Sequence, residues 1–184
     1  KKINSSKGVL NLDISPGKRY SIIGNSGVGK STLLKSIAGQ NEIYKIKAYV
    51  KRDNKLRNHI DITESMCYVP QEPQLLSGSA LFNIITHNDI RNINFERLVY
   101  ALKISEFLNP QKGLNIVKEL ESIFINQDGK GLSGGERQRL IIAQSIYLKP
   151  YFLLVDEGLS SLSNIVAQRV SKKIYHSDIP CIIY

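Results

Sequence analysis

Apolar positions along this chain recur at two spacings, and the spacing alternates. Lys18 to Ile23 is a short apolar run after a Pro16-Gly17 turn, which predicts a strand. From Lys30 through Ile37 the apolar residues Leu33, Leu34 and Ile37 fall at helical spacing, and Gly39 closes the helix. Ile46 to Val50 and Met66 to Val69 predict further strands, the second stopped by Pro70. From Gln71 the character changes. Ser79 can cap a short helix through Ile85, and Asn94 can cap another across Phe95 to Leu102, with Phe95, Leu98, Val99 and Leu102 on one face. Pro110, Gly113 and the stretch 126–131 break the pattern. After Gly135 a long helix runs to about Leu148, and Pro150 ends it. Tyr151 to Val155 is continuously apolar, as in a strand buried on both faces. Ser163 to Tyr175 reads as an amphipathic helix, and Pro180 precedes a last strand, Cys181 to Tyr184. The expected fold class is α/β: a mostly parallel sheet flanked by helices, with a small helical subdomain inserted. The expected division is 1–71, first part of the core; 72–131, the helical insertion; and 132–184, the second part of the core.

Composition narrows the setting. At 184 residues the chain can bury a real core without staples. Cys67 and Cys181 are far apart, lack metal-ligand spacing and read as buried reduced thiols, which points to a reducing compartment. No apolar run approaches the ~18 residues that span a bilayer. Met66 is the only methionine, so a piece of a longer polypeptide is expected. The net charge of +9 raises nucleic acid as a partner. The cations are scattered, however (Lys1, Lys2, Lys45, Lys47, Lys51, Arg52, Lys172, Lys173), with no aromatic interleaving. They read as a lysine-rich surface, compatible with anionic headgroups nearby, and no nucleic acid is expected.

Three motifs carry chemistry. Gly24-Asn25-Ser26-Gly27-Val28-Gly29-Lys30-Ser31 lies between a predicted strand and a predicted helix. Its glycines let backbone N–H groups curl around an anion, and the helix adds its positive dipole end. Lys30 can neutralise β- and γ-phosphates, Ser31 can ligate Mg²⁺, and Thr32 can support the α-phosphate region. Asp156 stands where the apolar strand emerges and suits Mg²⁺. Glu157 follows and points elsewhere, as a carboxylate polarising an attacking water would. Leu132-Ser133-Gly134-Gly135-Glu136 opens a helix. Ser133 and Glu136 form a capping box, and Gly134 and Gly135 leave N–H groups open for an anion.

Together and in this order, the motifs resemble the nucleotide-binding domain of ATP-binding cassette (ABC) proteins. Leu132 to Arg139, LSGGERQR, matches that family's signature in full. The resemblance covers the whole chain and implies a RecA-like P-loop NTPase core. It implies ATP and Mg²⁺ as cofactors, held by Gly24 through Thr32 and, for the metal, by Ser31, Gln71 and Asp156. Glu157 and Gln71 would be catalytic, Gln71 as the family's γ-phosphate-sensing Q-loop. Ser133, Gly134, Gly135 and Gln138 would contact ATP held by a partner copy. Two copies head to tail would sandwich two ATP. The phrase Pro70-Gln71-Glu72-Pro73-Gln74-Leu75-Leu76-Ser77-Gly78-Ser79 looks like the exporter branch, whose domain sits on the cytoplasmic face of the membrane behind a fused transmembrane domain.

Departures from the pattern shape the expectation. Gln127 replaces a glutamate in the loop that touches coupling helices. Ser163 stands where the D-loop has aspartate, which predicts slow or asymmetric hydrolysis. The switch histidine is expected beyond Tyr184 and the adenine-stacking aromatic near or before Lys1. His59, His87 and His176 read as surface or turn residues. A fragment clipped at both ends is expected to bind ATP weakly and turn over poorly. Two other functions compete with the exporter motor: a soluble ABC-type ATPase acting on ribosomes or DNA, and a catalytically degenerate half of a heterodimer.

Overall fold

A computed structural model describes residues 14–15, 17–41, 63–86, 92–110, 115–126 and 131–184. Four strands form a parallel sheet in the order β1 (Arg19–Tyr20), β6 (Cys181–Ile183), β5 (Phe152–Val155), β2 (Met66–Val69). A two-residue antiparallel pair, β3 (Gly78–Ser79) with β4 (Phe124–Ile125), lies apart from it.

The sheet's pleat sorts side chains into two cores. Phe152, Leu154, Cys181 and Ile183 point to one face, where Leu34 and Ile37 of α1 (Lys30–Ile37) cover them. Leu153, Val155, Val69 and Ile182 point to the other. There they meet α5 (Gly134–Tyr147), α6 (Asn164–Tyr175) and the inserted helices. Every residue of β5 is buried, as its unbroken apolar run predicts. Helix α5 is buried nearly all round, including Gln138 and Ser145, because it packs on β2 and on two inserted helices at once. The insertion therefore shares its core with one face of the sheet.

The inserted helices are α2 (Ala80–Ile85), α3 (Phe95–Ser105) and α4 (Ile116–Ser122). Ser79, Asn94 and Asn115 each cap one by accepting from the backbone N–H three residues on. Asn83, 3% exposed, donates to the Leu76 and Ser79 carbonyls and accepts from the Leu76 N–H. It clamps the segment after Gln71 onto α2.

Four expectations change. The first strand pairs over Arg19–Tyr20 only; the Ile22 N–H still reaches the Tyr184 carbonyl, at 2.7 Å, but Ile23 is 93% exposed as the chain turns into the glycine loop. Phe95 is not on the buried face of α3: at the helix's first position it is exposed, and Leu98, Ala101 and Leu102 face the core. The helical insertion also carries α4 and the β3–β4 pair, which short, weakly patterned segments concealed. Cys181 is buried as expected, whereas Cys67 is half-buried; both thiols are free, and burial pushes each up to about 11. The strand expected at Ile46 to Val50, the Gln127 loop, His59 and His87 lie outside the described residues.

Candidate active site

The site forms where three parallel-sheet connections converge at the carboxyl ends of the strands. Residues Gly24 to Val28 form an exposed loop, and Gly29, Lys30, Ser31 and Thr32 are half-buried at the start of α1. Gly29 is the N-cap at φ +95°, a left-handed conformation that favours glycine. No side chain caps this helix end, so its N–H groups are free for an anion. The Lys30 ammonium donates to the Gly24 and Asn25 carbonyls at 2.9 and 3.0 Å, which places its charge at the loop's mouth.

Asp156 is 4% exposed. Its N–H donates to the Val69 carbonyl at 2.9 Å, extending the β2–β5 ladder to the site. Its Oδ1 accepts from the Ser31 hydroxyl at 2.8 Å, bringing together residues predicted separately as cation ligands. Its Oδ2 accepts from the Tyr68 hydroxyl at 2.7 Å. Burial, then the hydrogen bond and charge of Asp156, push that phenol well above the usual tyrosine range. Motif reading missed Tyr68. The signal was register: Met66 pairs with Phe152 and Tyr68 with Leu154, so alternation puts Tyr68 and Asp156 on one face.

Glu157 turns away, as expected. Its backbone lies at φ +48°, rare for a residue with a Cβ, in a turn closed by the Ser160 N–H on the Glu157 carbonyl. Its exposed carboxylate accepts from the Gln71 amide at 3.1 Å. The two candidate catalytic groups therefore meet although 86 residues separate them.

The signature forms the capping box read from sequence. The Ser133 N–H and hydroxyl both donate to Glu136 Oε2 at 2.7 Å, and the Glu136 N–H donates back at 3.3 Å. The Ser133 hydroxyl, then its N–H, hold the Glu136 carboxyl below its usual range. Ser133 is exposed and Gly134 and Gly135 are half-buried. Gln138 is a correction: it is fully buried, so it cannot face a partner's ATP. Helical periodicity turns it inward, where its amide donates to the Pro70 carbonyl at 3.1 Å, immediately before Gln71. Gly158, immediately after Glu157, packs on the same amide: a Cβ there would lie 3.2 Å from Gln138 Nε2 and 2.6 Å from Val69 Cγ1. Gln138 thus touches the backbone beside both candidate catalytic residues. Ser163 is the N-cap of α6, without a capping hydrogen bond from its side chain.

A family model described as ABC transporter matches residues 8–160. The chain belongs to the ABC transporter family. The microcin-J25 export ATP-binding/permease protein McjD of Escherichia coli is 31% identical over 176 residues, covering 93% of this chain and 29% of that protein. ATP-binding cassette sub-family C member 2 of Mus musculus is 26% identical, covering 90% of this chain and 10% of that protein. This chain thus spans less than a third of the relatives it matches. A solved bacterial Atm1-family ABC exporter with ATP bound superposes with a TM-score of 0.72 at 22% identity, over 98% of this chain and 32% of that one. The fold is that of P-loop NTPases, and the ABC family to which the chain belongs is one of ATPases.

The donors present fit a nucleotide and a hard divalent cation. Ser31 and Asp156 offer hydroxyl and carboxylate oxygens beside a helix end built for phosphate. Among the described residues no group of three or more His, Cys, Asp or Glu gathers.

Proposed function

We propose that this chain is the ATP-hydrolysing motor of an ABC membrane exporter. The observation that carries the reading is the pairing of Ser31 with Asp156, next to the pairing of Gln71 with Glu157. Cation ligands and water-activating groups, drawn from three distant segments, lie side by side. Gly24 through Thr32 cradle the phosphates, with Lys30 neutralising them. Ser31, Gln71 and Asp156 would hold Mg²⁺, which would neutralise charge on the β- and γ-phosphates. Glu157 accepts the proton of the attacking water, and Gln71 orients it. Ser133, Gly134 and Gly135 offer an N–H and hydroxyl surface to ATP on a second copy, so that two chains head to tail share two nucleotides. The divisions 1–71, 72–131 and 132–184 serve as core, helical insertion and core again.

Among the described residues no helix is long and apolar enough to cross a membrane. The ATP-binding/permease architecture named for McjD supports a transmembrane domain in the parent chain, with this motor on the cytoplasmic face. One departure favours a second reading, a degenerate half of a heterodimer: Ser163 stands where the family resemblance implies the D-loop aspartate. The test is Glu157→Gln. ATP binding should persist, phosphate release should fall at least about a hundredfold, and light scattering should detect an ATP-dependent dimer. Unchanged phosphate release would reject Glu157 as the base; no dimer with retained turnover would reject the sandwich.

A further inference from the structure

We propose that Tyr68 is a positioning residue for the cation, holding one oxygen of the Asp156 carboxylate so that the other faces Ser31. The inference rests on the functional reading above and adds a residue that the motifs do not contain. A carboxylate offers two oxygens with about four acceptor directions, and it can rotate among them. Here the two oxygens are divided: Oδ2 takes the Tyr68 phenol at 2.7 Å, and Oδ1 takes the Ser31 hydroxyl at 2.8 Å.

Both ends of the phenol contact are anchored in hydrogen-bonded backbone. Tyr68 lies in β2, registered on Leu154, and Asp156 continues the same ladder through its bond to the Val69 carbonyl. Sliding either residue would break the strand pairing. Asp156 is 4% exposed, so water is a poor substitute for the phenol. Without it, Oδ2 would lose its partner and the carboxylate would turn to share the Ser31 hydroxyl, spoiling the Oδ1 orientation. Partners that orient metal ligands in this way commonly change metal affinity by about 10- to 100-fold when removed.

The test compares Tyr68→Phe, a 4-aminophenylalanine replacement at position 68 and Ser31→Ala with the unaltered chain, measuring ATP affinity by calorimetry in EDTA and again with Mn²⁺ as the probe. The readout is the tightening that Mn²⁺ produces, not turnover. Tyr68→Phe should bind metal-free ATP within about twofold of the unaltered chain and lose about tenfold of the Mn²⁺ tightening. The 4-amino ring keeps a donor at the reach of the phenol and should stay within about threefold of the unaltered chain. Full tightening in Tyr68→Phe, or equal losses in the phenyl and aminophenyl variants, would overturn the proposal. If Tyr68→Phe fails to bind metal-free ATP, the aminophenyl variant decides alone, and a tenfold loss in it overturns the hydrogen-bond role. If the unaltered chain shows no tightening, or Ser31→Ala keeps all of it, the functional reading itself falls rather than the role of Tyr68.

Discussion

Replacing Asn83 by aspartate should test how firmly the segment after Gln71 is held. Asn83 uses its whole amide: both Nδ2 hydrogens go to the Leu76 and Ser79 carbonyls, at 2.9 and 3.0 Å, and Oδ1 accepts from the Leu76 N–H at 2.9 Å. Asn83→Asp keeps the shape and the acceptor but loses both donors. At neutral pH it also sets a carboxylate against two carbonyl oxygens in a site that is 3% exposed. Two lost hydrogen bonds cost about 2 kcal/mol, and the buried charge raises the total to roughly 3–5 kcal/mol. In a domain of this size that is a drop in melting temperature of about 6–20 °C. Burial and the facing carbonyls raise the folded-state pKa of the introduced carboxyl above its unfolded value. The deficit is therefore full above the folded pKa and shrinks as pH falls toward the unfolded value. Protonation restores one donor, returning about 2 kcal/mol. Calorimetric melts of both proteins at pH 7 and pH 4.5 should show the gap narrowing by about 4–8 °C. A gap that ignores pH, or one under about 2 °C at pH 7, would refute the claim that all three hydrogen bonds clamp this turn.

Gln138→Leu removes the amide that holds Pro70. It should lower turnover about tenfold while shifting the melting temperature by less than about 3 °C, since a buried amide gives way to an apolar group of similar size. Phosphate release equal to that of the unaltered chain would reduce Gln138 to packing. Glu106 accepts from Arg169 and Lys173, both at 2.8 Å, tying the end of α3 to α6. The Arg169 hydrogen bond first, and Lys173 after it, hold its carboxyl below the ordinary 4.5. A depressed acid stabilises the fold above its unfolded pKa and stops doing so as pH falls through the folded one. Glu106→Gln should therefore cost roughly 0.5–1 kcal/mol at pH 7, the cations being partly exposed. Urea midpoints should converge as pH drops below about 4.5, and a constant difference would exclude the ion pairs as its source.

The parts of this molecule legible in its sequence are those whose chemistry is local. Lys30–Ile37 and the helix after Gly135 follow from apolar spacing and nearby caps. The buried strand β5 follows from an unbroken run. The capping box of Ser133 and Glu136 needs only four residues. What stayed hidden depends on which distant segments become neighbours. Tyr68 acquires its role only through the register of β2 on β5. Asn83 looked like one more polar residue in a short helix until its partners at Leu76 and Ser79 were in view. Gln138 sits in a motif whose first residues face outward, yet it lies on the helix's inner side. Helix α4 is too short for apolar spacing to stand out, and β3 and β4 gain their identity from each other.

The order of the sheet has a consequence for how the chain comes to be folded. Among the described strands β1 is hydrogen-bonded to β6 alone, roughly 160 residues later. Closing a loop of that length costs about 4–5 kcal/mol of chain entropy. During synthesis the glycine loop therefore emerges well before β6, the strand that pairs with β1. The inserted helices, which pack chiefly on α5, can assemble once that helix has been made, while β1 still waits for β6. Completion of the nucleotide site is then a late event, set by the arrival of β6 rather than by the segment that carries the phosphate motif.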